Sequence, residues 1–251
     1  MQRVIAVANQ KGGVGKTTTA INVGALLAKS GKNVLLVDLD PQANLTSGIG
    51  LNKHSEKTVQ DILFDEAEIR SVIVETEFDN LSVIPARPEL ATAEVELVNE
   101  LAREQRLKQA LAQTDFDFVF IDCPPALGLL TINALTAADD VLIPVQAEYY
   151  AMEGLGQLLQ TVQRIRQALN PNLNLLGVLL TMYDNRTTLS AEVKKELEQH
   201  LPGKVFSAII PRNVRLAEAP SHGKPAHEHD RWSKGAKAYK QLVKEIEKTL
   251  E

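Results

Sequence analysis

Residues 7–18 read Val7-Ala8-Asn9-Gln10-Lys11-Gly12-Gly13-Val14-Gly15-Lys16-Thr17-Thr18. In the usual phosphate-binding loop, a glycine and four further residues precede Gly-Lys-Ser/Thr, and backbone N–H groups surround the phosphates. Here glutamine replaces the first glycine, but Gly12, Gly13 and Gly15 still permit the positive φ angles and close backbone approach that the loop needs. Lys16 and Thr17 match the anchor lysine and the magnesium-binding hydroxyl. The stretch therefore predicts a nucleotide site rather than a glycine-rich turn that happens to contain two lysines.

The segments on either side of the loop support this interpretation. Residues 3–9 form an apolar run typical of a buried strand, and residues 17–30 have the pattern of a helix. A helix that begins at the loop directs its free N–H groups at a bound anion. The order strand, glycine loop, helix is the one that phosphate binding requires.

The second lysine of the loop, Lys11, has no evident role within one chain, because Lys16 already occupies the phosphate-facing position. A lysine at the start of the loop can instead reach across a symmetric interface to the nucleotide of a second copy. Lys11 therefore predicts a nucleotide-dependent dimer.

Short apolar runs alternate with stretches of helical periodicity along the rest of the chain. Strands are predicted at 33–37, 81–84, 116–122, 140–145, 173–182 and 205–210, and helices at 88–111, 152–169 and 233–250, with loops and short helices in 48–76. Near-continuous apolar strands between helices indicate an α/β fold with a mostly parallel sheet and helices on both faces. We expect one P-loop NTPase domain over 1–251, with the ligand at the carboxyl ends of the strands.

Composition excludes several classes of protein. The formal net charge of −5 argues against a surface that binds nucleic acid everywhere, although a local basic patch is compatible with it. A single cysteine, Cys123, excludes an internal disulfide and is typical of a reducing compartment. No apolar run approaches the roughly 18 residues that span a bilayer, so we expect a soluble, cytoplasmic protein.

The loop 11–18 resembles the deviant Walker A box of the ParA/MinD group of P-loop ATPases. Other segments resemble the ParA/Soj chromosome-partition branch of that group, and the likeness extends over the whole chain. These segments are Val37 to Asn44, Phe120 to Pro125, Pro144 to Tyr150, Thr181 to Asp184 and Ile210 to Ser221.

This resemblance implies a slow, Mg²⁺-dependent ATPase that acts in chromosome or plasmid partition. It implies that ATP closes two copies into a sandwich dimer that binds double-stranded DNA without sequence preference. A ParB-type centromere-binding protein would release the dimer by stimulating hydrolysis. The protein would then associate with the nucleoid when ATP is bound, and no stable membrane association is expected.

Hydrolysis requires a metal site and a group that orients the attacking water. Asp122 ends the apolar strand 116–122, as a Walker B aspartate would, and together with Thr17 it is predicted to hold Mg²⁺, Asp122 through water. Asp38 and Asp40 end the second strand, and their spacing alone does not choose between them, because the chain is expected to turn at Pro41. The resemblance implies that Asp40 positions the water.

The resemblance also implies the remaining site residues. The catalytic residues would be Lys11, Lys16, Asp40 and Asp122. The nucleotide would be bound by Lys11, Gly12, Gly13, Val14, Gly15, Lys16, Thr17, Thr18, Met182, Pro211, Arg212 and Asn213. DNA would be bound by Arg186 and Arg215.

Several alternatives remain open from the sequence. A MinD-like ATPase would insert a C-terminal amphipathic helix into lipid, but the apolar stripe of 233–250 lacks Phe and Trp and is suited to packing. The lysines of that helix predict a solvated face, with extra DNA contact as the alternative. A small-molecule kinase or ligase would need an acceptor pocket that the sequence does not indicate. The histidines at 222, 227 and 229 suggest a solvated polar loop rather than a metal site.

Overall fold

A computed structural model describes residues 2–52, 55–148 and 151–250. Within these ranges, seven strands form one sheet in the order β3-β4-β2-β5-β1-β6-β7. The strands are β1 (Arg3–Val7), β2 (Val34–Asp38), β3 (Val74–Glu75), β4 (Leu81–Ile84), β5 (Phe118–Asp122), β6 (Asp140–Gln146) and β7 (Asn174–Thr181). All neighbouring strands are parallel except β3, which runs antiparallel to β4 at the edge.

The helices connect these strands. They are α1 (Lys16–Lys29), α2 (Asn44–Gly48), α3 (Val59–Leu63), α4 (Leu90–Glu96), α5 (Arg106–Leu111), α6 (Leu129–Ala137), α7 (Ala151–Ala168), α8 (Thr188–His200), α9 (Val214–Glu218), α10 (Ala226–His229) and α11 (Lys234–Leu250). Short 3₁₀ turns lie at Ile69–Ser71, Leu97–Asn99 and Ala219–His222.

Two apolar layers cover the sheet, one on each face. Because successive side chains of a strand point to opposite faces, Val4 and Ala6 pack with α6 and α7, whereas Ile5 and Val7 pack with α1 and α11. The predicted α/β sheet with helices on both faces is therefore confirmed.

The register of the central strands brings the carboxylates of the site together. Val7 and Asp38 both lie opposite Asp122 in the sheet, so β1, β2 and β5 end at the same edge. The glycine loop leaves β1 at this edge and leads into α1.

Three sequence expectations are wrong in detail. Residues 205–210 form no strand of the described sheet; isolated bridges join Val205 to Val178 and Pro211 to Tyr183. The apolar alternation there reflects burial, since Phe206, Ala208 and Ile210 pack into the apolar layer that contains α1 and α11. In addition, the strand β3 was not predicted within 48–76.

The single helix predicted over 88–111 is divided into α4, a 3₁₀ turn and α5. The side chain of Asn133 on α6 explains the break, because it accepts a hydrogen bond from Leu107 N (3.2 Å) and donates one to Arg103 O (2.7 Å). A side chain that satisfies backbone groups in this way stabilises a helix start, and α5 begins at this point.

Candidate nucleotide site

The glycine loop follows a path that favours glycine at two positions. Gly13 has φ +72° and Gly15 has φ +91°, values in the left-handed region where a Cβ is strained. Gly15 immediately precedes α1, so the first N–H groups of that helix face the loop. The loop thus has the geometry of an anion site at a helix N-terminus.

The side chains of Asn9 and Thr181 tie the loop to β6 and β7. Asn9 Nδ2 donates to Pro144 O (2.6 Å), and Asn9 Oδ1 accepts from Lys11 N (3.0 Å). Thr181 Oγ1 donates to Val14 O (2.8 Å). Sequence reasoning did not assign Asn9 or Thr181 to the site; their positions at the ends of two predicted strands were the only available signal.

The two lysines of the loop differ in environment. Lys16 is 6% exposed, and its Nζ donates to Lys11 O (3.2 Å) across the loop. Burial lowers the pKa of Lys16, while the nearby carboxylates of Asp122 and Asp40 act in the opposite direction. Lys16 is therefore a desolvated cation directed across the loop, as expected for a group that binds phosphate.

Lys11 lies at the surface. Its side chain is 42% exposed and forms an ion pair with Glu148, which also accepts a hydrogen bond from Gln146. Sequence reasoning did not identify this partner. Lys11 is thus held in its own chain by an exposed ion pair, a contact that solvent screens and that opens readily. Tyr149 and Tyr150, which follow Glu148 and belong to one of the segments quoted above, lie outside the described residues.

Asp122 is fully buried, and neither of its carboxylate oxygens has a hydrogen-bond partner within the described ranges. Burial is the main cause that raises the pKa of Asp122 well above its usual range, and the negative charge of Asp38 is the second. The nearby Thr17 hydroxyl and the positive charge of Lys16 act in the opposite direction. A buried carboxylate without a partner is costly. A cation removes this cost, and carboxylate and hydroxyl oxygens are ligands that Mg²⁺ prefers, so Asp122 and Thr17 fit the predicted metal.

The two aspartates that end β2 have different contacts. Asp38 Oδ2 accepts hydrogen bonds from Thr46 N (2.8 Å) and Thr46 Oγ1 (2.7 Å), and Asp38 Oδ1 accepts one from Asp40 N (3.2 Å). Burial raises the pKa of Asp38 to about 6. Asp40 is 7% exposed and uses one carboxylate oxygen to accept from Gln42 N (2.9 Å). Asp38 is thus engaged in holding α2, whereas among the described residues only one carboxylate oxygen of Asp40 accepts a hydrogen bond, from Gln42 N.

A cavity of about 430 Å³ opens beside the loop, between β7 and α9. Its lining includes Gly15, Thr18, Met182, Pro211, Arg212 and Asn213, which are six of the residues predicted to bind the nucleotide. Within the described part of the chain, Asn213 Oδ1 is buried without a hydrogen-bond partner. An amide oxygen accepts hydrogen bonds, so it can receive the amino group of a base.

The two predicted DNA-binding arginines lie at the surface, and both are paired. Arg186 forms a bidentate ion pair with Asp184, in which Nε donates to Oδ1 (2.9 Å) and Nη2 donates to Oδ2 (2.7 Å). The Arg186 side chain is 88% exposed. Arg215 pairs with Glu218 (2.8 Å) and Asp230 (3.5 Å). Their DNA role stays a prediction.

The histidine segment differs from the solvated loop that the sequence suggested. Residues 226–229 form α10, and the side chain of His227 is only 9% exposed. No group of three or more His, Cys, Asp or Glu side chains with metal-binding geometry occurs within 2–52, 55–148 and 151–250. The segment is partly buried because Ala226 packs with Ala236 of α11 and donates its N–H to Asn22 Oδ1 of α1 (2.8 Å).

Helix α11 docks on the core. Tyr239, Leu242, Val243 and Ile246 are nearly or fully buried against the sheet and α1, and Tyr239 shares a hydrogen bond with Thr19 (3.2 Å). Across the described ranges, no helix is long and apolar enough to span a bilayer.

Comparison with known proteins extends these observations. A family model described as an AAA domain matches residues 2–175. The chain is 56% identical over 249 residues to the sporulation initiation inhibitor protein Soj of Bacillus subtilis, with 98% of each chain covered. It is 49% identical over 249 residues to the chromosome partitioning protein ParA of Caulobacter vibrioides, with 97% of this chain and 93% of that protein covered.

Solved structures share the fold. Cobyrinic acid a,c-diamide synthase from Mycobacterium smegmatis, with bound ADP and magnesium, is 43% identical with a TM-score of 0.85, and the match covers 97% of this chain and 93% of that one. The septum site-determining protein MinD from Pyrococcus horikoshii, complexed with Mg-ADP, is 27% identical with a TM-score of 0.81, and the match covers 100% and 98% of the two chains.

Proposed function

Because the chain belongs to the Soj/ParA family of chromosome-partitioning ATPases, we propose that it works as an ATP-gated, DNA-binding dimer. It is an ATP hydrolase that uses ATP and Mg²⁺. In the proposed cycle, ATP closes two copies around the bound nucleotides, the dimer binds double-stranded DNA without sequence preference, and a ParB-type partner stimulates hydrolysis and releases it. The ATP-bound form would then associate with the nucleoid.

The difference between the two loop lysines carries this proposal. Lys16 is buried within its own loop, whereas Lys11 is partly exposed and pairs with Glu148. A second copy that approaches this face would meet the Lys11 ammonium, and the γ-phosphate of its nucleotide would compete with Glu148 for that charge. Phosphate binds a cation more strongly than an exposed carboxylate does, because it offers more charge and more acceptor oxygens.

Each residue of the site has a proposed part in hydrolysis. Mg²⁺ would supply charge neutralisation at the phosphates when bound. Asp122 and Thr17 would hold it, and Lys16 would neutralise the phosphate oxygens. Asp40, whose second carboxylate oxygen has no hydrogen bond within the described ranges, would orient the attacking water. Because Lys11 would complete the site only from a second copy, hydrolysis by a single chain should be slow, and the ParB-type partner would raise the rate further.

DNA binding by an acidic chain requires local positive charge. On one protomer, Arg186 and Arg215 are each neutralised by carboxylates, which weakens their attraction for DNA. Dimerisation doubles the number of cations that face one duplex, and affinity rises steeply with the number of phosphate contacts. Nucleotide-gated dimerisation therefore gives nucleotide-gated DNA binding.

A basic groove supports this part of the proposal. It lies between α1 and α11, is about 680 Å³ in volume, and is lined by Lys29, Arg231, Trp232, Lys237, Lys240 and Lys244, with Glu247 as its one acidic residue. Arg231 Cζ lies 5.0 Å and Lys237 Nζ 5.7 Å from the centre of the Trp232 ring. Arg215 pairs with Asp230, which immediately precedes Arg231 of the groove. Arg215 and the groove are therefore adjacent and can contact the same stretch of DNA phosphate backbone.

The test is DNA binding by the purified protein with ATP, ADP or no nucleotide, with Asp40→Ala as the variant that retains ATP. DNA binding should require ATP and should persist longest in Asp40→Ala. Lys11→Ala should abolish the ATP-dependent dimer, whereas Lys16→Ala should weaken nucleotide binding itself. DNA binding that is indifferent to nucleotide would defeat the proposal.

The salt dependence of binding tests the arginines separately. Each arginine occurs twice in a dimer, and each phosphate contact contributes ~0.9 to the slope of log affinity against log salt. Arg186→Ala and Arg215→Ala should therefore each reduce that slope by about 1.8. An unchanged slope in either variant would remove that residue from the interface.

A MinD-like membrane function is not supported by α11, because its apolar face is used in the core. Flotation with anionic liposomes distinguishes the two functions. We also do not propose amide synthesis, which is named for the Mycobacterium smegmatis structure, since relatives of higher identity carry the partition name.

A further inference from the structure

The basic groove between α1 and α11 contains the only tryptophan of the chain, Trp232. Trp232 is 69% exposed, although Arg231 and Lys237 both lie near its ring. Most of the indole surface is therefore open to a ligand. The groove thus presents an aromatic ring with cations beside it.

The positive charge of the groove is largely unpaired. Lys29 pairs with Glu228. The four other cations that line the groove form no ion pair with any residue in the described ranges: Arg231, Lys237, Lys240 and Lys244. Lys240 and Lys244 are four positions apart on α11, a spacing at which like charges repel each other. An anionic ligand would relieve this repulsion.

Apolar side chains line part of the same groove. They belong to Leu26, Ala236 and Val243, and Ala236 is only 4% and Val243 6% exposed. The groove volume of about 680 Å³ lies within the range of roughly 300–1,000 Å³ that is typical of sites for organic ligands. The groove therefore suits a flat, weakly polar group that carries negative charge, and a nucleotide has both parts.

From these observations we propose that the basic groove binds unpaired nucleotides of a DNA strand, with one base stacked on Trp232 and neighbouring phosphates held by the unpaired cations. The inference rests on the proposed function, which brings DNA to this surface, and it names the form of DNA that the groove selects. In a duplex the bases are stacked inside, so only the backbone reaches the groove unless a base is extruded at an energetic cost. An aromatic ring within a positively charged groove is the arrangement that proteins use to bind single strands.

Two other occupants fit the groove less well. A free nucleotide offers one base but few phosphates, whereas a single strand brings a phosphate with every nucleotide and so engages several cations at once. An anionic lipid surface requires several exposed apolar side chains. Among the described residues that line the groove, Trp232 is the only exposed large apolar one.

The fluorescence of Trp232 tests the proposal directly, because no other tryptophan contributes. The full chain with ATP and Mg²⁺ is titrated with a single strand of about 16 nucleotides, long enough to fill one single-strand site. A stacked base should quench the indole emission. The matching duplex should leave the emission unchanged when anisotropy of a labelled strand shows that binding is saturated.

Substitutions separate the aromatic ring from the charge. Trp232→Ala should weaken single-strand binding about tenfold, the loss expected for one stacked base, and should leave duplex binding within about twofold. Trp232→Tyr retains an aromatic ring and should lose less. Lys240→Gln/Lys244→Gln should weaken both forms of DNA. Val95→Ala is the control, since Val95 is an apolar side chain of similar exposure, 70%, outside the groove, and it should change neither affinity.

Several results would overturn the proposal. One is equal single-strand affinity of wild type and Trp232→Ala, and another is emission that a saturating single strand leaves unchanged. An equal loss of duplex and single-strand affinity in Trp232→Ala would mean that Trp232 contacts only the backbone. Quenching by deoxycytidine monophosphate at the same nucleotide concentration would assign the groove to a free nucleotide, and an emission change with phosphatidylglycerol vesicles but not with the strand would assign it to lipid.

The proposed function fails by a different result. Duplex binding that is indifferent to ATP would defeat the nucleotide-gated dimer. Quenching of Trp232 by a single strand is measured without duplex DNA, so the two failures are distinguishable.

Discussion

Thr46→Val removes one hydroxyl that connects three parts of the site. Thr46 is fully buried. Its Oγ1 donates to Asp38 Oδ2 (2.7 Å) and accepts from Ala86 N (3.0 Å). Valine has nearly the same shape, so the substitution removes these two hydrogen bonds and leaves the packing volume almost unchanged.

The expected cost follows from what is left unpaired. A hydrogen bond to a charged group contributes about 1.5–3 kcal/mol, and a buried N–H group without a partner costs about 1–3 kcal/mol. Ala86 is fully buried, so its N–H cannot turn to water. We expect Thr46→Val to lower the free energy of unfolding by about 4 kcal/mol, which for a chain of this size lowers Tm by about 10 °C.

Thermal and urea denaturation at pH 7.5, followed by circular dichroism without nucleotide, measures this effect. Thr46→Ser is the control, because it keeps the hydroxyl and loses one methyl group, at a cost of about 1 kcal/mol. If valine costs no more than serine, the hydroxyl does not hold Asp38 and Ala86 as described. ATPase activity should fall in the valine variant as well, since Asp38 also accepts from Asp40 N.

Two further predictions concern charges near the site. Burial raises the pKa of Asp38 to about 6 from an ordinary value of 3.8, so the folded state retains a proton that the unfolded chain releases, and stability falls as pH rises from about 4 to 6. In Asp38→Asn, the free energy of unfolding should lose about 3 kcal/mol of its change with pH. Urea midpoints measured from pH 4 to 8 without Mg²⁺ test this. A variant whose stability changes with pH as much as that of wild type would contradict the assignment. Glu148→Gln should free Lys11 from an ion pair of about 0.2–1 kcal/mol in each copy. Because a dimer contains two such pairs, the ATP-dependent dimer should tighten by up to about thirtyfold in analytical ultracentrifugation, whereas weaker association would mean that Glu148 itself serves the dimer.

The sequence predicted the elements whose signals are local. The glycine loop, the strand before it and the helix after it are adjacent in the chain, so their pattern defines them without tertiary contacts. The parallel sheet with two covered faces also follows from near-continuous apolar strands between helices. Family resemblance added the ATPase activity, which the comparisons with partition proteins support.

Elements whose form depends on distant contacts were predicted less well. Residues 205–210 have the alternation of a strand, but they are buried beside β7 with only isolated bridges. Residues 88–111 have helical periodicity, but Asn133, far along the chain, interrupts them. Periodicity records which side chains are buried and does not record whether the backbone pairs continuously.

The sequence by itself determined that this chain folds around a phosphate-binding loop with two lysines, because glycine spacing and apolar periodicity are properties of neighbouring residues. Only the tertiary structure decided what the charged residues do. Asp38 and Asp40 are equivalent in the sequence, yet Thr46 engages only Asp38 with its hydroxyl. Lys11 and Lys16 differ because one pairs with Glu148 at the surface and the other is buried near Asp122. Burial and partners set the energy of a charge, and both arise from residues that only folding brings together.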